Sequence, residues 1–252
     1  MYDVDEALGF LKRIWDYDDP LARCYTIVWI RDRIGYRHFC REAGKDLYTE
    51  TREWLEENLP VLTRQGFHIY YQVLPLKTKP ARGRGRCVDV GIGKWAWIDL
   101  DYKKEILPIE IPKEFREVFD KKYYCVEEDD YGLECIYWDW RRKKWIYVKR
   151  PPLKKLLDEI MDILGVKPTI VVDSGNGYHV YFELNTVIEA KYLEKLEEKI
   201  VDKLGGDPQT KDLARILRLP GTVNPRNNRL ARVIYSSNNK IDPGKYLPFY
   251  LL

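Results

Sequence analysis

The sequence is poor in the features that mark three common classes of protein. It contains no apolar run of about 18 residues, which is the length a membrane-spanning helix needs, so we expect no transmembrane helix. It has only three histidines, and its five cysteines include no Cys-x-x-Cys pair. Such spacing specifies neither a disulfide framework nor a structural zinc site, and no zinc is expected.

The N-terminus and the charge favour a cytoplasmic protein. Residues 1–6 are acidic rather than basic and then apolar, so they do not resemble a secretory signal. The net charge is +3, from 43 Lys and Arg against 40 Asp and Glu, so a nucleic-acid partner must meet a local basic patch. Many charged residues beside only three glutamines also suggest a thermophilic source.

Hydrophobic periodicity predicts helices that alternate with strands, and therefore an α/β (α+β) fold with mixed sheets flanked by helices. The chain of 252 residues is long enough to bury a good-sized core. The predicted helices cover 5–16, 49–64 and 153–164, with a further one before Gly205. The predicted strands cover 25–30, 35–40, 67–74, 95–101, 168–174, 178–184 and 229–236, and two further strand-like segments cover 123–127 and 134–147.

The strand at 95–101 ends in two carboxylates. Because side chains alternate along a strand, Asp99 and Asp101 share one face, and Ile98 and Leu100 share the other. Two neighbouring carboxylates repel each other, and Mg²⁺ or Mn²⁺, which prefer oxygen ligands, would remove that penalty. A strand end that runs into a polar turn gives the same pattern, so both interpretations stay open at this point.

Two basic stretches are candidates for contact with a nucleic-acid template. A flexible loop at 77–86 carries Lys77, Lys79, Arg82, Arg84 and Arg86. It either contacts phosphates or is a solvated surface loop. The other stretch contains Arg141 and Arg142 among tryptophans. There we favour a hairpin with aromatic cross-strand packing, with single-stranded nucleic acid as the alternative partner.

The second half of the chain adds a polar hairpin and a pair of arginines. Ser174 and His179 flank a glycine-lined turn, which lets a backbone approach a phosphate closely. On the return strand His179 shares a face with Tyr181, so it need not be buried. Arg215 and Arg218 are three residues apart and share a face if that stretch is helical. Arginines can hold a triphosphate with bidentate hydrogen bonds.

In this order the motifs resemble those of the archaeo-eukaryotic primase superfamily, and more narrowly the primase–polymerases of plasmids, viruses and other mobile elements. The matching residues are an Asp-x-Asp strand, a Ser…His hairpin, and an Asp ahead of an Arg-x-x-Arg-Leu-Pro-Gly-Thr-x-Asn run: Asp99 and Asp101; Ser174 and His179; Asp207, Arg215, Arg218 and Asn224. The resemblance covers roughly residues 25–240.

The resemblance implies a primase-type catalytic core that includes an RRM-like unit. We expect one primase–polymerase domain over 1–252, with an N-terminal half at 1–101, an insertion at 102–150 and a C-terminal half at 151–252. The implied activity is template-dependent synthesis or extension of primers on single-stranded DNA, from NTPs or dNTPs, with two Mg²⁺ or Mn²⁺ ions.

The resemblance also implies a role for each matching residue. Asp99, Asp101 and Asp207 are implied as catalytic, metal-binding carboxylates, and Asp212 competes with Asp207 for the third position. The implied nucleotide-binding residues are Ser174, His179, Arg215, Arg218, Asn224 and Arg226. A helicase or an accessory helical domain often follows such a core, so one is a possible partner.

Two rival functions make different demands on the sequence. A non-catalytic module for replication initiation on the same fold would bind single-stranded nucleic acid without incorporating nucleotides. A rolling-circle nuclease would need a His-x-His metal pair and a nucleophilic tyrosine, and the sequence contains no His-x-His.

Overall fold

The structure is a computed structural model that describes residues 1–101, 104–106, 124–129, 132–139, 144–175, 177–206 and 212–247. These residues form four α-helices and fifteen strands, which confirms the predicted mixed α/β architecture. The helices are α1 (Val4–Ile14), α2 (Leu47–Arg64), α3 (Leu153–Leu164) and α4 (Ala190–Leu204). None of the described helices is long and apolar enough to cross a membrane.

The helix ends follow local sequence signals. The side chains of Asp3 and Asp46 accept hydrogen bonds from the amides of Glu6 and Thr49, which caps the first turns of α1 and α2. Helices α3 and α4 both end at a glycine with φ of 71°, the left-handed conformation that glycine adopts without strain.

The strands are short and numerous. In chain order they are β1 (Cys24–Ile30), β2 (Ile34–Cys40), β3 (His68–Gln72), β4 (Ile92–Asp101), β5 (Lys104–Ile106), β6 (Tyr124–Asp129), β7 (Gly132–Asp139), β8 (Lys144–Arg150), β9 (Ile170–Asp173), β10 (Gly177–Glu189), β11 (Ile216–Arg218), β12 (Val223–Asn224), β13 (Arg229–Leu230), β14 (Arg232–Ser236) and β15 (Lys240–Ile241).

The first sheet has the antiparallel order β11-β3-β1-β2, so a strand from late in the chain joins three from its beginning. One face packs on the helices. The Phe10 ring of α1 lies 5.1 Å from Tyr71, and the Trp54 ring of α2 lies 5.4 Å from Trp29. We call this the helix face of the first sheet.

The second sheet is built around β10. Strands β9 and β4 flank it antiparallel, β14 adds to β9, and β15 pairs parallel with its far end. Residues 177–184 are all buried, so the central strand is covered on both faces. Phe10 also lies 5.6 Å from Tyr181, so α1 joins the two sheets. On the other side, a Cβ on Gly206 would lie 2.3 Å from Ile98, because the end of α4 packs directly on β4.

The described residues between 104 and 150 form a separate antiparallel sheet with the order β5-β8-β7-β6. The predicted hairpin is confirmed, with Trp138 opposite Trp145. The single strand-like segment predicted at 134–147 is in fact two strands, β7 and β8. The turn that carries Arg141 and Arg142 lies outside the described residues.

The cysteine spacing proved a poor guide to disulfides. Cys24 and Cys40 are joined in a disulfide, although their separation of 16 residues matches no recognised framework. The register of β1 and β2 explains the pair, because it places the two cysteines directly opposite each other. Strand register depends on contacts distant in sequence, and spacing alone does not reveal it.

Candidate active site

A cavity of about 220 Å³ opens where the two main sheets meet. Seven of its lining residues are ones that the sequence analysis singled out: Asp99, Ser174, His179, Arg215, Arg218, Asn224 and Arg226. Tyr70, Ile216 and Leu217 complete the lining. Residues from four separate parts of the chain therefore converge on one site.

Asp99 and His179 face each other across neighbouring strands. The register of β4 and β10 pairs the two residues directly, and His179 Nε2 lies 3.8 Å from Asp99 Oδ1. Arg215 Nη2 lies 3.8 Å from Asp99 Oδ2. Both distances are too long for a direct hydrogen bond, so Arg215 interacts with Asp99 through charge, and His179 does so only when it is protonated. The carboxylate therefore has an imidazole on one side and a guanidinium on the other.

His179 is only 5% exposed, so the expectation that it need not be buried was wrong. It lies on the face of β10 that α1 and the first sheet cover, and strand alternation alone does not show this cover. Burial, together with the charges of Arg218 and Arg215, lowers the pKa of His179 to about 3. The imidazole is therefore neutral at pH 7, and its Nδ1 has no hydrogen-bond partner among the described residues.

The Ser174 turn is fixed by a second turn that packs against it. Asn224 Nδ2 donates to the Ser174 carbonyl at 3.3 Å, and Asn227 Nδ2 donates to the Gly175 carbonyl at 3.1 Å. Gly175 has φ of +98°, and a Cβ there would lie within 3.2 Å of both amides. Only glycine fits this approach without strain. The Ser174 hydroxyl closes the hairpin by donating to the Gly177 carbonyl at 3.1 Å.

A buried carboxylate that the sequence analysis missed lies beneath this turn. Asp173 is 4% exposed, and Arg150 Nη1 and Arg229 Nη2 approach its two oxygens at 2.5 and 3.0 Å. The Gly175 amide also donates to it at 2.7 Å. Burial raises the pKa of Asp173, but these partners outweigh burial and lower it overall. A buried ion cluster thus ties β8 and β13 to the polar hairpin.

Arg215 and Arg218 reach the cavity by another route than a helix. The helical interpretation was wrong, because Ile216–Arg218 is a strand and Arg215 sits in the turn before it. The spacing Arg-x-x-Arg fits both conformations locally. Pairing with β3 sets the strand conformation of β11.

Arg218 is the more enclosed of the two arginines. Its guanidinium lies 5.1 Å from the Tyr70 ring centroid, and its Nη2 lies 2.9 Å from His68 Nδ1. Burial lowers the pKa of Arg218, although an arginine stays charged at pH 7. Its Nη1 has no hydrogen-bond partner in the described part of the chain.

Tyr70 and His68 were missed, although a signal for them existed. The strand predicted at 67–74 places residues 68, 70 and 72 on one face by simple alternation. A histidine, a tyrosine and a glutamine on one face of a strand are unusual for a core-facing stripe.

The position of the third carboxylate is only partly described. Asp101 pairs with Gly177 through the backbone, and Asp207 lies outside the described residues. Gly206 lies against Asp99, since a Cβ on it would be 3.5 Å from the Asp99 carbonyl oxygen. Asp212 is engaged elsewhere, accepting from Cys87 Sγ at 2.7 Å and from the Ala214 amide at 3.0 Å. Among the described residues no three His, Cys, Asp or Glu side chains form a metal-binding group.

The sequence suggested that the basic loop at 77–86 is flexible, but in the structure the loop is docked on the first sheet. The Gly83 amide donates to the Tyr36 hydroxyl at 3.1 Å, and His38 Nε2 lies 3.1 Å from the Gly83 carbonyl. The Arg84 guanidinium donates to the carbonyl of Ala214, next to Arg215. Lys79, Arg82 and Arg86 stay exposed, and Lys77 is half-buried.

Comparison with solved structures identifies the fold. The chain is similar to the AEP domain of the primase–polymerase of cyanophage S-2L, with a TM-score of 0.57, 14% identity, and coverage of 98% of this chain and 97% of that one. It is also similar to the catalytic domain of the primase RepB′ in complex with initiator DNA, with a TM-score of 0.55, 11% identity, and coverage of 97% and 90%.

A further structure of the primase RepB′ matches with a TM-score of 0.55 and 11% identity, over 97% of this chain and 60% of that one. No protein-family model and no curated protein matches the sequence. The structural likeness confirms the predicted archaeo-eukaryotic primase–polymerase fold.

Proposed function

We propose that the protein is a template-dependent nucleotidyltransferase that makes or extends primers on single-stranded DNA. The observation that carries the proposal is the cavity, where a carboxylate, a neutral histidine and three arginines from separate elements meet. The fold supports it, because the similar solved structures are primases and a primase–polymerase. One of those was solved with initiator DNA.

The charges in the cavity suit the triphosphate of an incoming nucleotide. Arg215, Arg218 and Arg226 line it, against Asp99 as the one carboxylate in the described lining. Arg218 Nη1 and His179 Nδ1 are buried without a partner in the described residues, and a polar atom in that state is costly. Phosphate oxygens would accept from Arg218 and from a neutral imidazole N–H. We therefore assign Arg218 and His179 to hold the triphosphate, and Arg215 and Arg226 to balance its charge.

The remaining roles concern the hairpin and the carboxylates. Ser174 and Asn224 would keep the glycine turn open to a phosphate, since the Ser174 hydroxyl closes its own hairpin and Asn224 binds the Ser174 carbonyl. Residues two apart on a strand share a face, so Asp101 is proposed beside Asp99. Gly206 brings the chain alongside Asp99, which favours Asp207 over the engaged Asp212 as the third carboxylate.

Asp99 is the described residue of the cavity that could bind a hard divalent cation. Asp99 offers oxygen atoms at the cavity with 17% of its side chain exposed, and Mg²⁺ and Mn²⁺ prefer such ligands. Bound divalent ions would neutralise charge on the attacking 3′-oxygen and the departing pyrophosphate. The chain itself contributes position: the arginines orient the triphosphate, and the buried strands β4 and β10 hold Asp99 and His179 at a fixed separation.

Primer synthesis by the Asp99→Ala, Asp101→Ala double variant tests the proposal. Labelled NTPs or dNTPs are supplied with Mg²⁺ or Mn²⁺ on single-stranded DNA, with and without an annealed primer. We expect wild-type protein to extend the strand and the double variant to lose incorporation while its circular dichroism is unchanged. Asp202→Ala, an exposed carboxylate on α4, is the control and should retain activity.

Each other outcome has a defined meaning. Undiminished synthesis by the double variant would remove the carboxylates from the mechanism. Products only on primed DNA would indicate a polymerase rather than a primase. Tight binding of single-stranded DNA by wild-type protein, without incorporation under any of these conditions, would favour the non-catalytic module.

A further inference from the structure

The face of the first sheet opposite its helix face carries a continuous cross-strand row of side chains. The register places Tyr36 of β2 opposite Val28 of β1, Val28 opposite Tyr70 of β3, and Tyr70 opposite Arg218 of β11. These four side chains lie on the same face because paired residues in a sheet point to the same side. We call them the tyrosine row. With strands about 4.8 Å apart, the row is about 14 Å long.

The tyrosine row connects solvent with the cavity. At one end Tyr36 is 41% exposed, and its neighbour Ile34 on the same face is 63% exposed. At the other end Tyr70 and Arg218 line the cavity itself. Val28 is fully buried between the two tyrosines, so the row presents aromatic side chains rather than an aliphatic floor.

The docked loop forms one wall along the tyrosine row. It covers the next row of the sheet, where the carbonyl of Gly83 meets His38 and a Cβ on Gly85 would lie 3.4 Å from Gln72 Oε1. It meets Tyr36 through the Gly83 amide, and it reaches Ala214 beside the cavity through Arg84. The wall is basic, with Arg82 exposed and Arg84 half-buried.

We infer that the tyrosine row is the seat of the single-stranded nucleic-acid template, which stacks bases on Tyr36 and Tyr70 and sets its phosphates against the basic loop. Aromatic side chains beside a positively charged track are the arrangement that binds single strands without sequence preference. The basic loop would attract an acidic peptide as well, but the aromatic rings that can stack on bases and the continuity with the cavity select a nucleic-acid strand. The inference rests on the proposed function for its direction, since the strand leads to the nucleotide site.

Tyr36 also has a structural use, and the test must separate the two. Its hydroxyl accepts the Gly83 amide, so loss of the residue could act by releasing the loop. The hydroxyl and the ring can be removed independently. Tyr36→Phe keeps the ring and loses the acceptor, whereas Tyr36→Ala loses both.

The experiment measures binding of a fluorescein-labelled oligodeoxynucleotide of mixed sequence by anisotropy, without nucleotide or divalent cation. We expect Tyr36→Ala to weaken binding by about 5- to 100-fold, the range of one lost base–aromatic stack, and Tyr36→Phe to stay within about twofold of wild type. Tyr2→Ala removes a tyrosine that is 44% exposed at the N-terminus and should leave binding unchanged.

Three results would overturn the inference. Wild-type affinity in Tyr36→Ala would show that the strand avoids the row. An equal loss of DNA affinity in Tyr36→Ala and Tyr36→Phe would show that Tyr36 acts only through its hydroxyl, which anchors the loop, and that its ring does not stack on a base. Photocrosslinking of a 5-iodouracil oligonucleotide that maps away from Tyr36 and Tyr70 would place the strand elsewhere.

This test is separate from that of catalysis. Weakened DNA binding by Tyr36→Ala, together with no nucleotide incorporation by wild-type protein, would support the template surface and contradict the proposed polymerase activity. Nucleotide incorporation by wild-type protein, together with full DNA affinity in Tyr36→Ala, would support the polymerase activity and contradict the template surface.

Discussion

The two main sheets meet at one cavity but differ in how they are covered. The second sheet is covered on both sides of β10, where residues 177–184 are all buried. The first sheet packs on the helices with one face, whereas at the β2 edge of its other face Tyr36 and Ile34 are 41% and 63% exposed. Both sheets supply side chains to the site, Asp99 and His179 from one, Tyr70 and Arg218 from the other.

This difference suggests a division of labour. Groups that must keep a fixed separation lie on the second sheet, where packing allows little movement, and we call it the sealed sheet. Groups that meet a long, variable partner lie beside an open face. Substitutions in the second sheet should therefore lower stability, whereas substitutions on the open side of the first sheet should alter binding and leave stability nearly unchanged.

Asp173→Ala should have the largest effect, and it tests the sealed sheet. The substitution leaves Arg150 and Arg229 without the buried carboxylate between them. Removing one member of a buried ion cluster costs about 3–5 kcal/mol, so we expect the free energy of unfolding to fall by that amount. Urea denaturation followed by circular dichroism measures it. Asp158→Ala on the exposed side of α3 should change it by less than about 0.5 kcal/mol.

The same carboxylate predicts a pH dependence. Because its folded pKa is lowered, Asp173 contributes stability that is fully present above its unfolded pKa of about 3.9 and is lost as pH falls through the folded pKa. The difference in unfolding free energy between wild type and Asp173→Asn should therefore shrink in acid. A difference that is constant from pH 7 to pH 2 would contradict this.

Arg218→Met comes next, and it tests the opposite side of the comparison. The substitution removes a guanidinium that lines the cavity and keeps a side chain of similar length. We expect incorporation to fall by roughly 10²- to 10³-fold, as when one donor to a developing charge is deleted, with little change in melting temperature. Single-turnover primer extension measures the first quantity and differential scanning calorimetry the second.

Arg232→Met provides the matched control, because this arginine is exposed on β14. The contrary result is a melting temperature of Arg218→Met so low that unfolding accounts for its loss of activity. Arg218 would then support the fold. The two sheets would then not differ in the way proposed.

The sequence predicted the local elements of the site better than their assembly. The hairpin at 174–179 was found because a glycine-rich turn between alternating strands is a strong local signal. The Arg-x-x-Arg spacing identified the two arginines but not their conformation, since β11 is a strand of three residues that forms only because β3 is already present. The cavity itself joins β3 with β11 and β4 with β10, strands that are far apart in the chain, and no local pattern encodes that meeting.

Burial was the property that sequence patterns predicted least. The strand pattern implied that His179 need not be buried, and Asp173 and Glu197 were not singled out, yet all three are 5% exposed or less. Each lies on an element whose polar residue would normally face water. Their cover comes from elements far away in the chain, such as Arg150 of β8 over Asp173, and only the tertiary structure shows it.

Glu197 of α4, which packs on the sealed sheet, offers a test with a smaller expected effect on stability. Its Oε1 accepts the Trp97 amide at 2.7 Å, on the edge of β4 that faces α4, and the residue is fully buried. We expect Glu197→Ala to cost about 1–3 kcal/mol, because it removes this buried acceptor, whereas Glu197→Gln keeps an acceptor and should cost less. Chemical denaturation of the two variants gives the comparison.

The pH profile of Glu197→Gln separates a neutral acid from an ionised one. Burial raises the pKa of Glu197 well above its usual range, against the opposing effect of the Trp97 amide. The protonated acid therefore favours folding most below the unfolded pKa of about 4.3, and this contribution is lost as pH rises towards the folded pKa. Wild-type stability should decline over that range more steeply than that of Glu197→Gln. Parallel profiles would mean that Glu197 is ionised in the folded protein.

Arg82→Ala should have the smallest effect, and it sharpens the account of the open face. Arg82 is exposed on the docked loop beside the tyrosine row, where a phosphate contact releases about one counterion. We expect the magnitude of the slope of log K against log salt for single-stranded DNA to fall by about 0.7, with unchanged unfolding free energy. Lys154→Ala, an exposed cation on α3, should leave the slope as it is. An equal change in both variants would assign the salt dependence to net charge, whereas a change confined to Arg82 would locate the phosphate path along the loop.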